Sequence, residues 1–275
     1  MAIITISREM GSGGIPIAHR AAEKLGYLLI DGEAIAKVAP DYGLSHEAME
    51  KADEKPPPFV EKLDSQVEVN LFHIELIVLE FALKGNVIIY GRGGQDLLKE
   101  IDSVFRVRII APYEDRVERW AEREWLDPDL ARLLVRKSDQ QRAGFIKYYF
   151  DRDWNDPLGY DLVLNTKRLS EETAAKLICD GVKDKNLAEL KSPSKRLLSD
   201  LIIRKRTEIA ILSLTDIDGR HVMIDINDGV ITLSGHIQSE QDRRAVVAAA
   251  GKVKDAKQVV DQMKTVEYRS FPHAR

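Results

Sequence analysis

The chain has 275 residues, 44% hydrophobic and 31% charged, a composition that excludes a disordered protein and leaves room for two ordinary domains. Its formal net charge of −4 gives no global attraction to nucleic acid or to an anionic membrane. The single cysteine, Cys179, excludes an internal disulfide and fits a reducing compartment; its apolar neighbours Ala174, Ala175, Leu177 and Ile178 read it as a small core residue.

The first element is a β-branched run, Ile3-Ile4-Thr5-Ile6, without the basic and apolar regions of a signal peptide. It leads through Ser7-Arg8-Glu9-Met10 into Gly11-Ser12-Gly13-Gly14, and an apolar helical pattern (Ile17, Ala18, Ala21, Ala22, Leu25) follows. Strand, glycine loop and helix in that order form an anion cradle, because glycines let the backbone approach and the helix start offers free N–H groups. The lysine and hydroxyl of the usual phosphate-loop motif are absent. Aligned on Gly13, the first glycine is Arg8, the lysine is Gly14 and the hydroxyl residue is Ile15. Pro16 suits a first helical turn but adds no chemistry.

Further strands are expected over residues 27–30, 87–90, 104–110 and 161–164, with helices over 17–25, 66–83, 113–125, 130–150 and 171–182. This alternation predicts an α/β fold with a parallel sheet flanked by helices. Asp53-Glu54-Lys55-Pro56-Pro57-Pro58 reads as a stiff connector before the helix over 66–83. The apolar stretch 74–83 contains Glu75 and Glu80 and falls far short of the roughly 20 residues of a membrane span. A cytoplasmic protein without a transmembrane segment is the expectation. Residues 183–195 are polar, contain Ser192-Pro193-Ser194, and read as a linker or a loop leading to a Ser194-capped helix. A smaller α+β module follows over 196–270. Its order is helix (195–212), strand (221–226), an Asn227-Asp228-Gly229 hairpin turn, strand (230–237), a Ser239-capped alanine-rich helix and a third strand (258–266).

Chemistry concentrates at three places. Arg92 is flanked by Gly91 and Gly93 after the strand Val87-Ile88-Ile89-Tyr90, where ligands of open parallel sheets sit. Arg116, Arg119 and Arg123 recur on one helical face, and Lys137-Ser138-Asp139-Gln140-Gln141-Arg142 adds charge downstream. A solvated face of ion pairs is the alternative for that arginine helix, and a basic clamp over a triphosphate is the functional reading. Six histidines show no ligand spacing, so no zinc site is expected, and the tryptophans lack the basic interleaving of a nucleic-acid surface.

Residues 1–182 resemble the cytidylate kinase-like family, relatives of the P-loop nucleoside monophosphate kinases. The likeness rests on Ile-Ser-Arg-Glu-Met-Gly-Ser-Gly-Gly (6–14), Ile-Asp-Gly-Glu (30–33), Ile-Tyr-Gly-Arg-Gly (89–93), Ala-Pro-Tyr-Glu-Asp-Arg-Val-Glu-Arg (111–119), Lys-Ser-Asp-Gln-Gln-Arg (137–142) and Tyr-Asp-Leu-Val-Leu-Asn-Thr (160–166). It implies ATP with Mg²⁺ and phosphoryl transfer to a nucleoside monophosphate. By position, Arg8, Gly11, Ser12, Gly13 and Gly14 would bind the donor phosphates, and Asp31 and Arg92 the acceptor. Arg116, Arg119 and Arg142 would clamp the transferring group, with Asp139 orienting one of them; no residue is assigned to the metal. The family commonly carries Arg-Glu where this chain has Ile15-Pro16, and cytidylate kinases carry an acid where it has Gly93, with Asp96 the closest carboxylate. The alternatives are a catalytically weakened nucleotide sensor and a small-molecule kinase with a non-nucleotide acceptor. The C-terminal module resembles a BON domain through residues 222–237, which implies a protein or phospholipid partner. Its 13 basic against 11 acidic residues over 196–275 give little support for tight anionic-lipid binding, and Arg204-Lys205-Arg206 reads as a solvated helix face.

Overall fold

A computed structural model describes residues 2–51, 54, 65–189, 191–214 and 217–266. The N-terminal part runs β1 (Ile3–Arg8), α1 (Gly14–Leu25), β2 (Leu28–Ile30), α2 (Gly32–Val38), α3 (His46–Lys51), α4 (Ser65–Lys84), β3 (Val87–Tyr90) and α5 (Gly94–Leu97). It continues with β4 (Val104–Ile110), α6 (Tyr113–Glu124), α7 (Pro128–Phe150), β5 (Leu162–Asn165) and α8 (Glu171–Gly181). The strands form a parallel sheet in the order β2-β3-β1-β4-β5. Every side chain of Ile3, Ile4 and Ile6 is buried, as a central parallel strand covered on both faces requires. On one face α1 and α8 pack Ile17, Ala18 and Ala21 against Ala174, Ala175 and Ile178. Cys179 is buried in that cluster, and burial pushes its thiol pKa up. On the other face α4 brings Ile74, Ile77 and Val78 against Ile3, Val87 and Ile89.

Register places the two glycine sites side by side. β1 pairs with β3 as Ile6↔Tyr90 and with β4 as Arg8↔Ile109, so the carboxyl ends of three strands share one edge. Both glycine loops open there.

The expected 183–195 connection is largely helical, over α9 (Lys185–Glu189) and the start of α10 (Lys191–Leu212). Ser194 lies inside α10, is buried, and its hydroxyl meets that of Ser103 at 2.7 Å. α10 serves two cores: Leu198 and Ile202 pack with the α4 side of the first sheet, whereas Ile203 and Ile211 pack in the C-terminal module. α4 is therefore apolar over most of its circumference, because the sheet and α10 sandwich it.

The C-terminal module contains β6 (Val222–Asn227), β7 (Val230–Ile237), α11 (Glu240–Ala250), β8 (Gln258–Asp261) and β9 (Lys264–Thr265). β6 and β7 are antiparallel, β8 joins β7 in parallel, and β9 pairs further along β7. Asp228 and Gly229 both take positive φ in the hairpin turn, and Asp200 of α10 accepts from both of their amides at 3.0 and 2.9 Å. Ser239 caps α11 by accepting from Asp242 N at 3.0 Å. The reading of Arg204-Lys205-Arg206 as a solvated face is corrected here. Lys205 is half-buried and held between Glu75 of α4 (2.7 Å) and Glu208 (2.6 Å), with its ammonium 3.8 Å from the centre of the Phe72 ring. Arg206 bridges Glu80 (2.8 Å) and Asp255 (2.7 Å). No described helix is long and apolar enough to cross a membrane.

Candidate functional site: two glycine loops around a half-buried arginine cluster

The loop after β1 has Gly11 at φ +78° and Gly13 at φ +81°, and no side chain caps α1. The Gly14 and Ile15 amides at the start of that helix have no intrahelical partner, Pro16 has no N–H, and Ile17 N donates to Gly13 O at 3.3 Å. Three other segments hold the loop in shape. Arg116 is buried on α6 and donates to Met10 O and Ala111 O (3.0 Å each) and to Asp139 (2.7 Å). Asp139 of α7 also accepts from Met10 N at 3.0 Å. Arg119 donates to Thr166 Oγ1 (3.0 Å) and Thr166 O (2.9 Å), and Thr166 donates onward to Ser12 O (2.8 Å).

This geometry separates the expected binding residues into two groups. Arg116 and Arg119 direct these donors to protein oxygens that shape the loop. Ser12 is fully buried and turns both its amide (3.3 Å) and its hydroxyl (2.8 Å) to Glu9 O. Arg8 and Arg142 line an open cavity of about 380 Å³ with Gly11, Gly13, Gly14 and Trp120, and Arg119 and Arg123 of α6 border the same cavity. Among the described residues, the buried Arg142 Nη1 and Trp120 Nε1 make no hydrogen bond, although Asp139 lies 4.0 Å from Arg142 Nη1. Orphaned donors on a cavity wall are unusual in a native interior and mark where a ligand acceptor fits. The aliphatic Ile15 and Pro16 on the same wall offer no hydroxyl to a metal ion.

At the end of β3, Gly91, Arg92 and Gly93 all take positive φ, at +75°, +58° and +63°. A β-carbon on Gly91 would overlap Arg8 Nη1 and Glu54 Oε1, which explains the glycine. The Arg92 side chain extends over the start of α2, since a β-carbon on Gly32 would lie 2.9 Å from its Nη2. Asp31 caps that helix by accepting from Ala34 N at 2.9 Å. The structure thus brings Arg92 to the start of α2, the helix that Asp31 caps. Asp96 lies on the far side of this turn, buried beside Gln95 (2.8 Å) and Arg152 (3.5 Å); burial raises its pKa.

Sequence reasoning missed the residue at the centre. Of the expected 53–58 connector only Glu54 is among the described residues. Its carboxylate accepts from Arg8 Nη1 through both oxygens (2.8 and 3.1 Å), from Arg142 Nε (3.2 Å) and from the Arg92 backbone amide. Burial by itself would push this carboxyl up, but Arg8, Arg142 and Arg92 outweigh it and hold its pKa at about 2. Burial and the neighbouring Arg8 lower the pKa of Arg142, whereas Glu54 and Tyr90 outweigh burial and raise that of Arg8. The Arg8 guanidinium also stacks 4.3 Å from the centre of the Tyr90 ring. Behind this cluster, Trp154 Nε1 donates to Ser7 Oγ at 2.9 Å, and Arg108 stacks 4.1 Å from the centre of the Trp154 ring. A wider groove of about 810 Å³ between α6 and α7 is a poor place for phosphate: its charged lining is Glu114, Glu118, Glu122 and an Arg132 already tied to Glu114 at 2.7 Å.

Residues 3–168 match the model of the cytidylate kinase-like family. The chain belongs to that family. Residues 199–267 match the BON domain, so this family member carries a BON domain at its C-terminal side. A cytidylate kinase of Natronomonas pharaonis is 32% identical over 171 residues, covering 62% of this chain and 83% of the relative. A cytidylate kinase of Methanopyrus kandleri is 30% identical over 179 residues, covering 62% and 87%. An uncharacterized protein from Eubacterium ventriosum, known from a crystal structure, has a similar fold: TM-score 0.54, 21% identity, 67% of this chain and all of that one.

Proposed function

We propose that this cytidylate kinase-like protein transfers the terminal phosphoryl group of MgATP to a nucleoside monophosphate, with cytidylate as the first acceptor to test. The observation that carries the reading is the convergence of Arg8, Arg142 and the Arg92 turn on one anion between two glycine loops. Gly11, Gly13 and Gly14 would admit the donor phosphates. Arg8 would take the charge-stabilising place of the absent lysine, and Arg92 with Asp31 would hold the acceptor. The acceptor's phosphate oxygen would form the new bond to phosphorus as the bond to the ADP oxygen breaks. Catalysis of this kind rests on positioning and charge stabilisation, with little covalent work by the protein. Arg116 and Asp139 would fix the glycine loop, and Arg119 would tie it to the turn at Thr166. The archaeal relatives named as cytidylate kinases support the acceptor class.

A second reading is favoured by one observation. Position 14 is glycine and position 15 isoleucine, so the lysine and the hydroxyl that usually handle phosphate charge and magnesium are both missing, and Ser12 turns its own hydroxyl inward. Losing one preorganised donor lowers a rate by about 10²–10³. The chain would then bind nucleotide and report it through the BON domain, whose partner would be a protein or a phospholipid. Incubation of the full chain with MgATP and a panel of nucleoside monophosphates separates the two. The kinase reading expects ADP formation that Arg92→Ala abolishes. Saturable ATP binding with no ADP from any acceptor would leave the sensor.

A further inference from the structure

The acceptor of three charged or backbone donors at this site is Glu54, a residue of the chain itself. Arg8 comes from β1, Arg142 from α7 and the Arg92 amide from the turn after β3, so elements distant in sequence have been gathered around one carboxylate. Both guanidinium groups pair with that carboxylate; Arg142 Nη1 also stands 4.0 Å from Asp139 and makes no hydrogen bond among the described residues. Asp139 is itself paired to Arg116 at 2.7 Å, which leaves the Arg142 fork open to a further acceptor. On the side bounded by Ser7, Gln95 and Trp154 little room is left beside Glu54, about 10 Å³, whereas the open cavity of about 380 Å³ lies against the same two arginines. A carboxylate offers two oxygens to a guanidinium fork, as two oxygens of a phosphoryl group do, and the two anions cannot share one spot.

We infer that Glu54 is the resident anion of the phosphoryl position: it holds Arg8 and Arg142 in place until a phosphoryl-bearing ligand displaces it. The inference rests on the phosphotransfer reading above and adds a positioning residue to it. The Glu54-in state lowers the apparent affinity for phosphoryl ligands in proportion to its population. In return, the two guanidinium groups stay charged and close together without ligand, which their mutual repulsion would otherwise oppose.

The test uses the full chain, with inorganic pyrophosphate as the probe and calorimetry as the readout. Glu54→Gln keeps the shape and removes the charge, and it is expected to tighten pyrophosphate binding at least roughly tenfold. Glu54→Ala, which also removes the bulk, is expected to do the same and serves if the first variant does not fold. In the unsubstituted protein, carbon NMR of labelled glutamate gives an independent readout. The Glu54 carboxyl should titrate at about 2 alone and move toward the ordinary glutamate range when pyrophosphate saturates the site. Unchanged or weaker binding in both variants, or a Glu54 titration that ignores pyrophosphate, overturns the inference and leaves the phosphate site standing. Absence of pyrophosphate binding in every protein overturns the phosphate site and the inference with it.

Discussion

Replacing Gly11 by alanine should disable the glycine loop through two separable effects. At φ +78° an alanine pays the left-handed penalty of about 1–2 kcal/mol. Its new β-carbon would also stand 3.0 Å from Arg116 C and Cβ and closer still to Arg116 O. That obstacle is backbone at the first turn of α6, which cannot rotate aside. Relief requires α6 to shift, stretching the Arg116 bonds to Met10 O (3.0 Å) and Asp139 (2.7 Å), and overpacking of this kind adds about 1–3 kcal/mol. The sum, about 2–5 kcal/mol, should lower the melting temperature by roughly 5–15 °C. Gly26→Ala is the matched control, because Gly26 has φ +66° with nothing within 4 Å of a β-carbon. It should show the backbone penalty alone, a fall of roughly 2–6 °C. Thermal melts of the two variants, followed by ATP titration, give the comparison. Equal melting shifts, or undiminished ATP binding by Gly11→Ala, would refute the claim that the loop and α6 are in rigid contact.

Lys205→Met should destabilise the protein by about 3–5 kcal/mol at neutral pH, because Glu75 and Glu208 lose the cation between them. Burial already raises the Glu75 pKa, so the folded variant binds protons that the unfolded chain releases, and its deficit should shrink as pH falls from 8 to 5. Urea denaturation across that range measures it. Acid behaviour of Glu54 has the opposite sign. Its folded pKa is depressed from 4.5 to about 2, so its stabilisation is complete above 4.5 and lost as pH falls through about 2. The unsubstituted protein should therefore lose on the order of 3 kcal/mol more than Glu54→Gln over that window in denaturant titrations.

Much of the fold was legible because its signals are local. The β-branched runs of β1, β3 and β4 and the apolar spacing of α1 and α8 need no partner to be read. The short helices α2, α3 and α5 were missed, since four to seven residues carry too little periodicity and rely on tertiary packing. The third C-terminal strand divides into β8 and β9 around Gln262 and Met263, where Asp261 accepts from Met263 N at 3.0 Å. Arg204-Lys205-Arg206 looked solvated because its sequence neighbours are polar; the glutamates that pair with it arrive from α4, some 130 residues earlier. The candidate site was legible at its glycines and arginines for the same local reason. Glu54 was not, because its meaning lies in partners 38 to 88 residues away. Its signal was indirect: Arg8, Arg92 and Arg142 gathered at one sheet edge require a counter-anion, and none had been assigned.

In the proposed kinase, Arg8 would supply the positive charge that the glycine loop's missing lysine would bring. Calorimetric titration of MgATP into the unsubstituted protein and Arg8→Met tests it most directly, with Arg132→Met, an exposed arginine paired to Glu114, as control. A hydrogen bond to a charged group contributes about 1.5–3 kcal/mol, so Arg8→Met should weaken ATP binding by roughly 10–100-fold. Arg132→Met should leave it unchanged. Equal ATP affinity in all three proteins, or no ATP binding by any, would contradict the account.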